Sequence, residues 1–368
     1  MKKIMVVLGT RPEAIKLCPL IRELKRRKSL STVVCSSGQH QEMLDGAMKA
    51  FSVKADYDLN VMQAGQSISE TSARILRGLD RFLEERSPDM VLVQGDTATA
   101  FAGAMAAFYR KIPIGHVEAG LRTYHIHSPF PEEMHREAIS LMADFHFAPT
   151  VASKNNLLRE GKSEKSVFLT GNTVVDALRY TLKHGMPSTE YDIPQEHRLI
   201  LFTAHRRENL GNTMHGMLRA LRRIVETHED LWAICPLHPN PQVRSAAKEI
   251  LYDCKRIRII DPPATVDFHR LLARSYLVLT DSGGIQEEAT ALGIPTLVMR
   301  YSTERTEGVK AGCLKLAGSS EAGIVHAANV LLECDSAEYL NMKKPSNVFG
   351  DGCASVRIAN ILERLLQN

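Results

Sequence analysis

Hydrophobic and polar positions alternate along this chain in two different patterns. Short apolar runs rich in Val and Ile recur throughout, and longer amphipathic stretches separate them. Runs of roughly four to eight apolar residues are typical of buried strands, and a period of about 3.6 residues is typical of helices that cover a sheet. The pattern predicts helices between the strands, as at 12–26 and 97–109, and strands at 4–8, 32–36, 90–94, 112–117, 145–148, 166–170, 199–203, 231–235, 257–260, 276–280 and 296–299.

The alternation breaks once, near the middle of the chain. Gly185, Pro187 and Pro194 lie there among polar residues without periodicity, which is typical of a linker. We therefore predict an α/β protein with two Rossmann-type domains and parallel sheets, residues 1–184 and 185–368. A final helix is predicted at 354–366, and it either stays with the second domain or packs back on the N-terminal domain.

Composition and charge narrow the class of protein. The 368 residues are 44% hydrophobic and 24% charged, with a net charge of only +4, so we expect no nucleic acid and no membrane partner. The first apolar run ends at Gly9, too early for a signal peptide, and no stretch approaches the roughly 20 apolar residues of a membrane span. Seven cysteines without a C-x-x-C pair favour a reducing compartment, so the expected location is cytoplasmic.

In the first half of the chain, most candidate catalytic and binding residues come directly after predicted strands. Ligands of open α/β sheets bind at the carboxyl ends of strands. Arg11 and Lys16 follow the first strand and lie near the start of the next helix, whose N-terminus favours an anion. The same residues also fit a plain turn with solvated cations. Asp96 and Glu118 each follow a strand, and Glu132 lies in a proline-flanked acidic loop. Asp96 is alternatively the N-cap of the next helix.

In the second half, His205 ends a strand and is a candidate acid or base. The run Ser282-Gly283-Gly284 joins a strand to a helix and predicts a diphosphate cradle made of backbone N–H groups. Glu288 would reach ribose hydroxyls, and Arg305 would reach phosphate. The absence of G-x-G-x-x-G argues against NAD, and the histidines lack the spacing of metal ligands, so no cofactor and no metal are expected.

Taken in order, these motifs resemble the non-hydrolysing UDP-N-acetylglucosamine 2-epimerases over essentially the full length of the chain. The matching segments are 9–16, 95–97, 116–123, 128–133, 205–209, 281–288 and 303–305. The resemblance implies a GT-B-like fold with an interdomain cleft and a homodimer. It also implies reversible conversion of UDP-GlcNAc to UDP-ManNAc by elimination of UDP and re-addition through 2-acetamidoglucal, supplying ManNAc for cell-surface polysaccharide.

The resemblance also implies roles for individual residues. Catalysis would fall to Asp96, Glu118, Glu132 and His205. The UDP group would be bound by Arg11, Lys16, Phe268, Ser282, Gly283, Gly284, Glu288 and Arg305. A second UDP-GlcNAc, acting as an allosteric activator, would contact Gln39, His40, Gln66, Arg206 and His238.

Three other functions remain open at this point. A GT-B glycosyltransferase would use the same grip on a UDP-sugar but would need an acceptor surface, and no apolar or membrane-facing stretch suggests one. A catalytically idle nucleotide-sugar sensor would not need all four catalytic candidates. A hydrolysing epimerase would release free ManNAc.

Overall fold

The structure, a computed structural model, describes residues 1–38, 41–61, 65–187, 191, 193–204, 209, 211–237 and 240–367. The chain forms two compact units: unit 1 is Met1–His184 with Gly350–Asn368, and unit 2 is Gly185–Phe349. The last helix therefore belongs to unit 1, one of the two placements that the sequence left open. Across the residues described, no helix is long and apolar enough to cross a membrane.

Unit 1 is built on a parallel sheet. Its described strands are β1 (Lys2–Leu8), β2 (Leu30–Ser36), β3 (Tyr57–Asp58), β4 (Met90–Gln94), β5 (Ile114–Val117), β6 (Phe145–Ala148) and β7 (Val167–Leu169). They lie in the order β3-β2-β1-β4-β5-β6-β7, which places β4 and β5 in the middle, with every residue of both strands buried. Continuous apolar runs form such strands because helices cover both faces of the sheet.

The helices of unit 1 form those two covering layers. They are α1 (Arg11–Arg26), α2 (Gln41–Ala50), α3 (Ile68–Arg86), α4 (Ala98–Tyr109), α5 (Glu132–Met142), α6 (Val151–Arg159), α7 (Thr173–His184) and, from the end of the chain, α15 (Ala354–Gln367). One apolar cluster joins the sheet to α1, α2 and α15, and another joins it to α3 and α4. Helix α15 packs against α1 and α7, so the end of the chain completes the core of unit 1.

Unit 2 repeats the architecture with its own core. Its described strands are β8 (Arg198–Thr203), β9 (Leu231–Pro236), β10 (Ile257–Ile260), β11 (Leu277–Thr280), β12 (Thr296–Val298) and β13 (Leu314–Leu316). They lie in the order β10-β9-β8-β11-β12-β13. The helices are α8 (Asn212–Thr227), α9 (Pro241–Leu251), α10 (Thr265–Arg274), α11 (Gly283–Leu292), α12 (Thr306–Lys310), α13 (Glu321–Leu332) and α14 (Ala337–Met342).

The predicted fold class of two parallel Rossmann-type sheets is confirmed. Each strand predicted from the sequence lies within two residues of an observed strand at both ends, and the recorded strand pairs are parallel. The pattern missed β3 and β13, which are edge strands of two and three residues. Strands this short cannot show the apolar run on which the prediction depends.

Candidate active site

Each sheet has one point at which the strand order reverses. In unit 1 it lies between β1 and β4, and in unit 2 it lies between β8 and β11. Ligands of open α/β sheets bind outside the carboxyl ends of strands at such a point. The segments 9–16 and 95–97 of unit 1 and 281–284 of unit 2 follow these strands directly, so the predicted site residues lie where a ligand is expected.

The turn after β1 is held by the fully buried carboxylate of Glu13. Thr10 caps α1 by accepting a hydrogen bond from the Glu13 N–H, while Glu13 Oε2 accepts from the N–H groups of Gly9 (3.0 Å) and Thr10 (2.8 Å). Thr97, on the neighbouring loop, donates to Glu13 Oε1 at 2.6 Å. Burial raises the pKa of Glu13. No role was predicted for Glu13 from the sequence, although Thr-x-x-Glu is the signature of such a capping box.

Arg11 and Lys16 were predicted to bind an anion at this turn, and Lys16 also pairs with a carboxylate of unit 1. Arg11 is the first residue of α1 and is half-buried. Lys16 Nζ lies 2.7 Å from Oε1 and 2.6 Å from Oε2 of Glu118, which follows β5. The fold thus joins a residue predicted to bind an anion to one of the predicted catalytic carboxylates.

Glu118 is buried and has a left-handed backbone, with φ of 63°. A non-glycine residue in this region costs about 1–3 kcal/mol, and such strain is concentrated at functional sites. Besides Lys16, two buried amides donate to its carboxylate: Gln94 Nε2 to Oε2, and Asn172 Nδ2 to Oε1 at 2.9 Å. Neither amide was predicted from the sequence. Their only signal was their position, at the end of β4 and shortly after β7.

Asp96 does not cap α4, because Thr97 occupies the N-cap and accepts the cap hydrogen bond. Asp96 instead accepts from Arg136, whose Nη2 lies 2.5 Å from Oδ2. The Arg136 side chain is only 6% exposed, and its Nη1 also lies 3.3 Å from Glu133 Oε2. His135 hydrogen-bonds the Asp96 carbonyl through Nδ1 at 2.8 Å. Helix α5 therefore holds both the side chain and the backbone of Asp96.

The two acids at the start of α5 lie in different environments. Glu133 is fully buried, and its Oε1 accepts from the N–H groups of Thr123 (2.7 Å) and Tyr124 (2.9 Å). Glu132, the first residue of α5, is half-buried, at a helix end that favours negative charge. Glu133 therefore holds the preceding loop, and Glu132 is the acid that stays partly accessible.

Two buried histidines lie side by side on the neighbouring strands β5 and β6. His116 on β5 is the register partner of His146 on β6. His116 Nε2 lies 2.8 Å from the Gly95 carbonyl, which can only accept, so the neutral ring carries its proton on Nε2. Burial lowers the pKa of His116 to about 4 and that of His146 to about 3. Both rings are therefore neutral at pH 7.

In unit 2, the turn after β11 presents the N-terminus of α11. Ser282 is the N-cap, and its own N–H donates to Thr280 Oγ1 at 3.0 Å. Its side chain makes no cap hydrogen bond, so the first N–H groups of the helix, beginning at Gly283 and Gly284, receive no acceptor from the cap. A helix start of this kind suits a phosphate group.

The guanidinium of Arg305 lies against this helix start. A Cβ atom on Gly283 would lie 2.7 Å from Arg305 Cζ, so the close approach requires glycine. Arg305 is buried and donates to Glu287 Oε1 at 2.8 Å and to Glu304. The structure therefore brings together two predicted phosphate contacts, and two carboxylates hold the arginine in place.

Gln286, which was not predicted from the sequence, links the start of α11 to the segment around Thr303. Its Nε2 donates to the Ser282 carbonyl at 3.1 Å, and its Oε1 accepts from Thr303 at 2.8 Å. The side chain is buried on α11. It therefore ties the helix start to the segment that carries Arg305.

Glu288 and Phe268, the predicted ribose and uracil contacts, lie on the neighbouring helices α11 and α10. Glu288 Oε1 is 3.3 Å from His269 Nε2, and both residues are buried. Phe268 precedes this histidine, is half-buried and packs on an apolar cluster of unit 2. The Glu288 carboxylate is thus oriented by the helix that carries Phe268.

Several predicted residues lie outside the residues that the structure describes: His205, Gln39, His40, Arg206 and His238. Gln66 is half-buried and precedes Ser67, the N-cap of α3. Within the described part of the chain, no group of three or more His, Cys, Asp or Glu side chains could hold a metal ion.

Comparison with known proteins gives a consistent result. A family model described as UDP-N-acetylglucosamine 2-epimerase matches residues 22–363. The chain is 50% identical over 360 residues to the Bacillus subtilis UDP-N-acetylglucosamine 2-epimerase, covering 98% of this chain and 94% of that protein. The S. aureus MnaA–UDP structure has a TM-score of 0.94 and 46% identity, covering 100% of this chain and 97% of that one. The Neisseria meningitidis UDP-GlcNAc 2-epimerase bound to UDP-GlcNAc has a TM-score of 0.94 and 43% identity, covering 100% of both chains. The predicted GT-B-like fold class is confirmed.

Proposed function

The chain belongs to the UDP-N-acetylglucosamine 2-epimerase family and is an isomerase, and we propose that it converts UDP-GlcNAc reversibly to UDP-ManNAc. One observation carries the proposal. Asp96 and Glu118 follow the adjacent strands β4 and β5, and each is paired with a cation, Arg136 and Lys16 respectively. Inverting one carbon requires groups that remove and return a proton on opposite faces, and two carboxylates at one sheet edge suit that task.

The proposed reaction is an elimination followed by an addition. A base takes the proton from C2 while the bond between C1 and the diphosphate oxygen breaks, and its electron pair leaves with UDP. The product is 2-acetamidoglucal, with a double bond between C1 and C2. An acid on the other face then returns a proton to C2, and the diphosphate oxygen attacks C1. The sequence requires neither an oxidant nor a reductant.

The contacts in unit 1 support the assignment of Asp96 and Glu118 to the proton transfers. The contacts with Arg136 and Lys16 hold these two carboxylates in place after the adjacent strands β4 and β5. Glu132, partly accessible at the start of α5, would be the further acid, and His205 would assist near the departing phosphate. Lys16 then acts on Glu118 as well as on the ligand anion.

The contacts in unit 2 support a role in holding UDP. The N-terminus of α11 at Ser282, Gly283 and Gly284, with Arg305 beside it, suits the diphosphate. Glu288 would accept from ribose hydroxyls, and Phe268 would contact the uracil. Stabilising the diphosphate as it gains charge lowers the barrier to its departure.

We also propose a homodimer. Large apolar side chains are exposed at the end of α4, where Phe108 is 53% and Tyr109 66% exposed, and on the neighbouring helix α5, where Leu141 is 79% exposed. Burying such side chains against a second subunit would be favourable. We further propose that a second UDP-GlcNAc binds as an activator. The product would supply ManNAc for cell-surface polysaccharide.

Incubation with UDP-GlcNAc in deuterated water, followed by NMR, tests the reaction. We expect deuterium at C2 and a mixture of UDP-GlcNAc and UDP-ManNAc. Glu118→Gln keeps the size of the side chain but cannot act as a base, so it should lose exchange. Glu164→Gln, on an exposed side chain of unit 1, is the matched control and should keep the wild-type rate.

Each alternative predicts a different spectrum. Unlabelled UDP-GlcNAc without epimer would refute the proposal. Free ManNAc as the product would favour a hydrolysing enzyme. Transfer of the sugar to an added acceptor, with no deuterium at C2, would favour a glycosyltransferase.

A further inference from the structure

The carboxylate of Glu118 receives hydrogen bonds on both of its oxygens. Lys16 contacts both, Gln94 donates to Oε2, and Asn172 donates to Oε1. Lysine is long and flexible, and in the proposed reaction it also faces the ligand anion. The two amides are neutral and are 1% (Asn172) and 3% (Gln94) exposed, so they stay with the carboxylate.

The amide of Asn172 is fixed in one orientation. Its Oδ1 accepts from the Val174 N–H at 3.1 Å, at the start of α7. Only Nδ2 can then face Glu118, and it lies 2.9 Å from Oε1. A flipped amide would present an oxygen to a carboxylate and lose the hydrogen bond to α7 as well.

The end of the chain packs on the turn that carries Asn172. A Cβ atom on Gly350 would lie 3.1 Å from the backbone nitrogen of Asn172, so this segment approaches the turn closely. Helix α15 then begins with the N–H groups of Ala354 and Ser355 donating to Asp176 of α7, at 3.1 and 2.7 Å. Asn172 therefore lies between two anchored segments of unit 1.

We infer that Asn172 is a positioning residue for Glu118, which sets both the direction and the charge of its carboxylate. The inference rests on the catalytic role proposed for Glu118. A donor fixed at 2.9 Å restricts rotation of the carboxylate, so the same oxygen faces the substrate in each turnover. It also stabilises the ionised form, which is the one that accepts a proton.

Asn172→Asp separates this role from a purely structural one. Aspartate has the same shape and can still accept from the Val174 N–H, but it offers Glu118 a negative oxygen in place of a donor. We expect kcat to fall about 10- to 100-fold, the loss expected for a charge-assisted hydrogen bond. The acid limb of the kcat–pH profile should move to higher pH, because a neighbouring negative charge makes Glu118 hold its proton more tightly. The Kd for UDP should stay within about threefold of wild type.

Two further variants complete the experiment. Asn155→Asp makes the same change at an exposed position of α6 and should leave kcat and the pH profile unchanged. Asn172→Ser keeps an acceptor for the start of α7 without adding charge. It should lower kcat and move the acid limb to higher pH by less than Asn172→Asp does, because a donor is lost but no charge is added, and it replaces Asn172→Asp if that variant does not fold.

The results separate this inference from the proposed function. Wild-type kcat and pH profile in both Asn172 variants would overturn it. So would a lower kcat in Asn172→Asp with an unmoved acid limb and a lowered unfolding temperature, because that is the signature of a structural residue. If the wild-type protein itself exchanges no deuterium at C2, the proposed function fails; if it exchanges normally and the Asn172 variants match it, only this inference fails.

Discussion

The buried pair His116 and His146 should make unit 1 sensitive to acid. Both rings lie in the sheet of unit 1, and each has a buried Nδ1 without a hydrogen-bond partner in the described structure. Protonating either ring would place a positive charge where the positive charge of Arg122 already disfavours one. The perturbation is therefore a drop in pH from 7.5 to 5.0, and the expected result is a loss of stability.

The magnitude follows from the two pKa values. An unfolded histidine has a pKa of about 6.5, whereas burial lowers the pKa of His116 to about 4 and that of His146 to about 3. The unfolded state binds protons more readily, so the free energy of unfolding falls as the pH drops below about 6.5, and the loss is complete below the folded-state pKa. At pH 5 each ring lowers the free energy of unfolding by about 2 kcal/mol, and His116 reaches about 3 kcal/mol below pH 4.

Urea unfolding of unit 1 at pH 7.5 and pH 5.0 measures this effect. His146→Leu removes one titrating ring whose Nδ1 has no recorded partner to lose. The wild-type protein should therefore lose about 2 kcal/mol more than the variant between the two pH values. Burial raises the pKa values of Glu13 and Asp176, which act with the opposite sign, but they are common to both proteins and cancel. His125→Leu, at an exposed position, is the control and should follow wild type.

An equal loss of stability in wild type and His146→Leu would refute the reasoning. It would mean that the ring either is protonated without cost in the folded state or is reached by water.

Two further predictions concern the proposed site. Asp96→Asn removes the charge paired with Arg136 and should lower kcat about 100- to 10,000-fold in a coupled epimerase assay, with UDP binding retained; a near-normal rate would remove Asp96 from the mechanism. Gly283→Ala places a methyl group against the guanidinium of Arg305 and should destabilise unit 2 by about 1–3 kcal/mol in urea unfolding. Gly284→Ala, where nothing lies within 4 Å of the new Cβ, should be neutral or stabilise by up to about 1 kcal/mol, and equal effects of the two changes would contradict the packing at Arg305.

The fold could be predicted from the sequence because the patterns that indicate strands and helices lie within short segments of the chain. Strands buried on both faces must be apolar along their whole length, and the helices that cover them must be apolar on one face. Both patterns are visible without knowing which strands are neighbours. The positions of the loop residues after each strand follow from the same pattern, which is why Asp96, Glu118 and the Ser282 turn could be named in advance.

The partners of those residues are decided only by the tertiary structure. Lys16 is 102 positions from Glu118 in the chain, and Asn172 is 54 positions from it. These groups meet because the strand order places β1, β4, β5, β6 and β7 in one row, with Lys16, Glu118 and Asn172 following β1, β5 and β7, and no local pattern encodes that order. The chain by itself determined which side chains stand at strand ends. Sheet assembly decided which of them share a hydrogen bond, because a contact of a few ångströms depends on neighbours that are distant in sequence.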